Sequence, residues 1–452
     1  MHRNSEDFDL YSHEFIQEFS DFVRFPSLSS DSQYLGECKK CADFLMSRLD
    51  KLFSLELWEK EGHPPIIYAK NTQAGPGKPT LLLYNHYDVQ PAELSDGWEG
   101  DPFILRQKNG RFYARGASDN KGQCFYTLKA LQHYYNTRKC FPVNLIWLIE
   151  GEEESGSPAL FSLIEEKRDQ LKADAVLIID GGFTSEDYPS LCIGSRGLLT
   201  MKVHVQEGTK DMHSGTFGGI AYNVNRALAE ILSSLHNSDN SIAIEHFYDD
   251  ITPIPRDCLP DTPASDMIKE CEKTLGFHPT GYEPSYTPEE AGAYRPALDI
   301  NGISGGYTGP GFKAVIPYRA TAYLSCRLVP GQDPKKIATL VINHLQKRVP
   351  KALQFSYEIL ESCEGWRSSP HLPLVGILKE IYSKLYHKEC LKLLMTATIP
   401  IAPTLGRIAG AEPIVCGTSY ISDNIHAAEE NFSLDQFRKG FLSICQLLDH
   451  LA

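Results

Sequence analysis

The chain has 452 residues, 42% hydrophobic and 23% charged, a composition that supports a large folded core and more than one domain. Asp and Glu number 58 against 44 Lys and Arg, and the formal charge of -14 argues against nucleic acid and anionic membrane as partners. No basic-then-apolar leader opens the sequence and no apolar run reaches the length of a membrane span, so a cytoplasmic protein is expected.

Phe15, Phe19, Phe22 and Val23 recur at helical spacing and Pro26 ends that run, which predicts an N-terminal helix. A second helix is predicted over 38–52, with Cys38, Cys41, Leu45, Leu49 and Leu52 on its apolar stripe. The C-x-x-C pair is therefore read as two buried thiols, in keeping with a reducing compartment. After the turn at Ala74-Gly75-Pro76-Gly77, the unbroken apolar run Leu81 to Tyr84 predicts a strand covered on both faces. Val143 to Ile149 and Ala175 to Ile179 repeat the pattern, and a helix carrying Cys124, Leu128 and Leu131 lies between the first two strands. Alternating strand and helix predict an α/β core with a mixed, largely parallel sheet.

From about Leu198 the pattern changes. Met201, Val203 and Val205 alternate with polar residues, as in a strand with one solvated face. A helix near Val224 to Leu235, a strand over 320–329, a helix over 334–348 and a strand over 353–359 complete a smaller α+β unit with an antiparallel sheet. Two helices, near 374–386 and 433–451, then rejoin the first layer. The expected organisation is a first domain over 1–198 and 371–452, interrupted by an inserted domain over 199–370. Residues 241–302, with several Pro and Gly, carry no assignment.

Each buried strand ends in acidic or imidazole groups: His86 and Asp88 after the first, Glu150 to Glu154 after the second, Asp180 after the third. Ligand sites in open α/β sheets collect beyond these carboxyl ends. Asp119, in Ser118-Asp119-Asn120-Lys121-Gly122, and His426, between the last helices, are candidates for the same place. Taken singly, each has a plain structural alternative, such as a helix cap or a satisfied strand-end histidine. Gathered at one sheet edge they repel and desolvate one another unless cations hold them. A mixed N/O donor set suits Zn²⁺ or Mn²⁺ better than Mg²⁺. Two ions bridged by one carboxylate would satisfy the set and turn water into a nucleophile near neutral pH. In His86-Tyr87-Asp88, the aspartate is placed to orient the imidazole.

These segments, with Asp211-Met212-His213-Ser214-Gly215 and Cys326-Arg327-Leu328-Val329-Pro330, resemble the M20 family of metallopeptidases over essentially the whole chain, most closely its dipeptidase branch. The resemblance implies that His86 and Asp180 bind one metal, that Glu154 and His426 bind the other, and that Asp119 bridges them. It implies further that Asp88 orients His86, that Glu153 is the general base and acid, and that the Asp119–Asn120 peptide is cis. The inserted domain of such enzymes is a ferredoxin-like lid through which they often form homodimers. By resemblance His213 stabilises the oxyanion in the partner's site and Arg327 binds the substrate carboxylate. The substrate class implied is a dipeptide or short peptide with a free carboxylate; the alternative is an N-acyl amino acid, cleaved by the same residues.

In one segment the chain departs from that branch. Where the branch carries Gly-Gly-Ser-Ile-Pro, this chain has Thr396-Ala397-Thr398-Ile399-Pro400. Thr398 keeps a hydroxyl, but the two glycines that allow close backbone approach are absent. Thr398, Arg407 and Asn424 are the remaining candidates for contact with substrate.

Overall fold

The computed structural model describes residues 2–183, 188–253, 268–269, 271–395 and 399–452. The chain forms two compact units. The first comprises Met1–Ile193, Ser368–Leu393 and Pro400–Ala452; the second comprises Gly194–Arg367 and Leu394–Ile399.

The first unit is built on a mixed sheet whose strands lie in the order Ser54–Trp58, Ile66–Asn71, Asn144–Glu150, Thr80–His86, Ala175–Ile179, Pro413–Cys416 and Ser190–Ser195. The central pairings, Asn144–Glu150 with Thr80–His86, Thr80–His86 with Ala175–Ile179, and Ala175–Ile179 with Pro413–Cys416, are parallel. They coincide with the unbroken apolar runs: Leu82, Tyr84, Leu145, Trp147 and Val176 to Ile179 are fully buried. Burying a side chain of this size stabilises the fold by roughly 1.5–3 kcal/mol.

The outer strands correct the expectation of a largely parallel sheet. Ser54–Trp58 and Ile66–Asn71 pair antiparallel with each other, Ile66–Asn71 pairs antiparallel with Asn144–Glu150, and Val415 faces Cys192 antiparallel. A short loop between Trp58 and Ile66 permits a hairpin, whereas a parallel pair needs a long crossover.

The helix Lys121–Arg138 packs on Thr80–His86 and against Leu434–His450, which also meets Pro373–Tyr386 and His2–Val23. Lys121–Arg138 is buried at every position from Lys121 to Leu131, so it lacks the one-sided apolar stripe of a surface helix. Gly122 opens it for a steric reason: a Cβ there would stand 2.1 Å from the Ala117 carbonyl oxygen. On the helix Leu35–Leu49, Cys38 and Cys41 are free and fully buried, as their place on the apolar stripe predicts.

The second unit holds a four-stranded antiparallel sheet in the order Ala297–Gly305, Arg319–Leu328, Gly197–Gln206 and Gln354–Cys363. Leu199, Met201, Val203 and Val205 face a core shared with the helices Val224–Ser233 and Pro334–Gln346. Asn223 caps the first of these helices and Asp333 the second, where Pro334 occupies the first turn. The previously unassigned stretch 241–302 includes the helix Pro288–Tyr294, opened by a Thr287/Glu290 capping box, and the start of the strand Ala297–Gly305. No described helix is long and apolar enough to cross a membrane.

Candidate metal centre

His86 ends its strand fully buried. Its Nε2 lies 3.1 Å from Asp119 Oδ1 and 3.5 Å from Asp180 Oδ1. The other oxygen of Asp119 lies 3.0 Å from His426 Nε2, which in turn lies 3.2 Å from Glu154 Oε2. The donors therefore form two groups, His86/Asp119/Asp180 and Asp119/Glu154/His426, each with its atoms within 4.8 Å of one another. Asp119 belongs to both.

A web of hydrogen bonds holds this geometry. Asp88 Oδ1 lies 3.2 Å from His86 Nδ1, which turns Nε2 toward the cluster. The same carboxylate accepts hydrogen bonds from the backbone N–H of Glu153 at 3.1 Å and of Glu154 at 3.0 Å. It thus fixes one imidazole and the short turn Glu153–Ser155 together. Asn120 Nδ2 donates to Asp180 Oδ1 at 2.7 Å and to the Ile179 carbonyl at 2.9 Å. Asn85 Nδ2 donates to Asn120 Oδ1 at 2.7 Å, and Gln90 Nε2 donates to Glu154 Oε2 at 2.8 Å. The Asp119–Asn120 peptide is cis. His426 has φ 62° within a loop that also takes Asn424 and Glu429 into the left-handed region, a sharp path that carries the imidazole to Asp119.

The charged groups of the cluster shift one another strongly. Burial opposes protonation of His86, but Asp180, Asp119 and Asp88 outweigh it and hold the imidazole well above its usual range. Hydrogen bonds to Asp119 and Glu154 raise His426 to about 10. Burial tends to raise Asp119, yet His426 and His86 keep it below the usual carboxylate range. Glu154 is pushed up to about 7 by burial, with Asp119 adding and His426 opposing. Glu153 is driven well above the carboxylate range, first by burial and then, against His86, by Asp180, Glu154 and Asp119. Like charges 4 Å apart repel by about 4 kcal/mol at an effective dielectric of about 20. Imidazole nitrogens and carboxylate oxygens, aimed inward around a shared carboxylate, fit divalent metal ions.

Of the expected site residues, His86, Asp88, Asp119, Glu154, Asp180 and His426 meet at this cluster. Glu153 is anchored beside it through its backbone and stands outside both donor groups. His213 and Arg327 belong to the second unit. His213 is exposed and caps the turn Ser214–Phe217, its Nδ1 accepting from the Gly215 N–H at 3.1 Å. Arg327 is partly buried on Arg319–Leu328, across from Leu198 and Ala297.

Asn424 is exposed on the His426 loop, and Thr398 lies outside the described residues. Arg407 is engaged outside the cluster. Its helix, Ile401–Ala409, buries Ile401, Ala402, Leu405 and Ile408 and turns the guanidinium to solvent, where it pairs with Glu165 at 2.8 Å and with no cluster residue. The supporting roles of Asn85, Gln90, Asn120 and Glu430 emerge only from the fold. Amides and an acid without periodic spacing give no signal in a single sequence.

The sequence model of peptidase family M20/M25/M40 matches residues 82–450. The chain is 29% identical to the Cys-Gly metallodipeptidase dug1 of Schizosaccharomyces pombe, over 98% of this chain and 97% of that protein. It is 29% identical to the Beta-Ala-His dipeptidase of Rattus norvegicus, over 96% of this chain and 92% of that protein. Among solved structures, the M20 family metallo-carboxypeptidase Sso-CP2 from Sulfolobus solfataricus superposes with a TM-score of 0.83 at 30% identity, covering 97% of this chain and 99% of that one.

Proposed function

The chain belongs to peptidase family M20/M25/M40, and from that membership we propose that it is a metal-dependent exopeptidase of the dipeptidase kind, hydrolysing dipeptides or short peptides. The observation that carries this reading is Asp119, whose two carboxylate oxygens face two separate imidazoles. The names of the relatives, which specify Cys-Gly and Beta-Ala-His, support dipeptides as the substrate class.

The donor set supports two divalent ions, Zn²⁺ or Mn²⁺: His86 and Asp180 would hold one, Glu154 and His426 the other, and Asp119 would serve both. When bound, such ions supply Lewis-acid polarisation of a carbonyl and lower the pKa of water. Glu153, anchored beside the donor groups but outside them, would take the proton from the attacking water and return it to the leaving amine. Asp88 keeps His86 and the Glu153 backbone in register for this. Because the Gly215 N–H occupies His213 Nδ1, a neutral His213 carries its proton on Nε2 and can donate it to a developing oxyanion. Arg327 supplies the planar pair of donors that a free C-terminal carboxylate accepts. Asn424 and Thr398 complete the candidates for substrate contact.

We assign to residues 199–370 the role of a ferredoxin-like lid that also joins two copies of the chain. The antiparallel sheet with helices packed on its core supports the fold part of that assignment. Cys38, Cys41, Cys124, Cys326 and Cys416 are buried free thiols, which favours a reducing, cytoplasmic setting. An assay of Cys-Gly, Beta-Ala-His and other dipeptides beside N-acetyl and N-succinyl amino acids, with Mn²⁺ or Zn²⁺ added, tests the reading. Dipeptides are expected to be cleaved with the higher kcat/KM. A clear preference for the acyl substrates would replace the dipeptidase assignment with an amidohydrolase one.

A further inference from the structure

Two chain segments about three hundred residues apart in sequence meet at the cluster, and a single buried carboxylate ties them together. Glu430 is fully buried. One of its oxygens accepts from the backbone N–H groups of Ser118 at 2.8 Å and Asp119 at 3.0 Å. The other accepts from the Gly116 N–H at 2.9 Å and from Arg115 Nη1 at 2.8 Å. Its own carbonyl accepts from the Ala114 N–H at 3.2 Å. Immediately beyond, Asn431 to Ser433 pair antiparallel with Arg111 to Tyr113.

All these donors sit in the segment that ends at Asp119, and Glu430 itself stands four residues after His426. Arg115 is 3% exposed and pairs with the carboxylate at 2.8 Å, so this buried negative charge has a buried cationic partner. The Asp119 N–H points at Glu430 while both Asp119 oxygens point at the imidazoles, so Glu430 grips the shared residue from behind.

We propose that Glu430 is a positioning residue that sets the separation of Asp119 from His426, and through it the capacity of the two half-sites to share Asp119 between cations. The inference rests on the di-metal reading above. Glu430 stands outside both donor groups. It acts by replacing loose loop closure with four directed hydrogen bonds, each stronger for having an ionised acceptor. Glutamine cannot substitute, because whichever way its amide turns, an NH₂ group meets N–H donors.

The test is titration of the chelator-stripped, full-length chain with Zn²⁺ and with Co²⁺, followed by calorimetry and by the Co²⁺ absorption spectrum. The parent is expected to bind two ions per chain. Glu430→Gln is expected to lose about 10- to 100-fold in affinity, the usual cost of disturbing groups behind metal ligands, and to show an altered Co²⁺ spectrum. Glu430→Asp keeps the charge but withdraws it by one methylene; it is expected to fall between the two, and it carries the test if the glutamine variant does not fold. Parental affinity and spectrum in the folded variants, with a thermal midpoint lowered equally with and without metal, would make Glu430 merely structural and overturn the proposal. A parent that binds no ion would bring down the di-metal reading and this inference together, whereas two ions bound with parental affinity by the variant would sink this inference alone.

Discussion

Glu153 and Glu154 are neighbours in sequence, yet the structure separates their tasks. Glu154 shares a donor group with His426 and Asp119, while Glu153 lies outside both groups and is held by its backbone N–H. Removing the acid–base function of Glu153 should therefore leave metal binding largely intact. Glu153→Gln is expected to retain its bound metal, measured by elemental analysis, while kcat falls by roughly 10²- to 10⁴-fold. Loss of metal in parallel with activity would instead make Glu153 a ligand. Asp88 predicts the opposite pattern, because it contacts His86 and both glutamate backbones. Asp88→Ala should weaken metal affinity by about 10- to 100-fold in a calorimetric titration, and excess metal should restore activity only in part. Full recovery at saturating metal would mean that Asp88 does nothing for the placement of Glu153.

The N-terminal helix, His2–Val23, is docked through charge as well as through Phe15, Phe19 and Phe22. Glu18 accepts from Lys129 on Lys121–Arg138 and from Arg48 Nε at 2.8 Å. Burial alone would raise Glu18, but Lys129 and Arg48 together hold its carboxyl below the ordinary value. A depressed folded-state pKa contributes stability above the unfolded value, near 4.3, and loses it as pH falls through the folded value. Glu18→Gln should therefore cost about 1–2 kcal/mol at neutral pH, and its urea midpoint should converge on that of the parent only as pH falls through the depressed folded value. A constant offset at all pH values would show that packing, not the ion pair, is responsible.

The same elements show which parts of the fold are legible in sequence. The strands at the centre of the sheet are unbroken apolar runs because helices cover both faces, and their ends mark where His86, Glu150 and Asp180 emerge. The hairpin Ser54–Trp58/Ile66–Asn71 is half-exposed on its outer strand and leaves a weaker trace. The helix Ile401–Ala409 is masked by Pro403 and Gly406, although Pro403 stands in the first turn, where no N–H donor is needed. Metal-type donors declare themselves by residue type and by strand-end position. The amides and the acid behind them, Asn85, Asn120, Gln90 and Glu430, do so only once the chain is folded.

The sequence order of the two units sets a condition on the chemistry. Every donor of the cluster belongs to the first unit, while His213 and Arg327 belong to the second, which interrupts the first in sequence. On the proposed reading, in which the second unit joins two copies and His213 serves the partner's site, each site would take Glu153 from one copy and His213 from the other. His213→Ala and Glu153→Gln would each be nearly inactive alone, for different reasons. In a mixed dimer, one site would combine the intact Glu153 of the first variant with the intact His213 of the second. For random exchange at equal concentrations, half the dimers are mixed and each has one complete site of two, so about a quarter of parental activity is expected. Size-exclusion chromatography with light scattering should report a dimer for all three proteins, and a labelled copy should report exchange. Verified exchange without recovery would assign His213 to the site of its own chain. A monomer throughout would remove the second copy from the mechanism, leaving His213 to act within one chain.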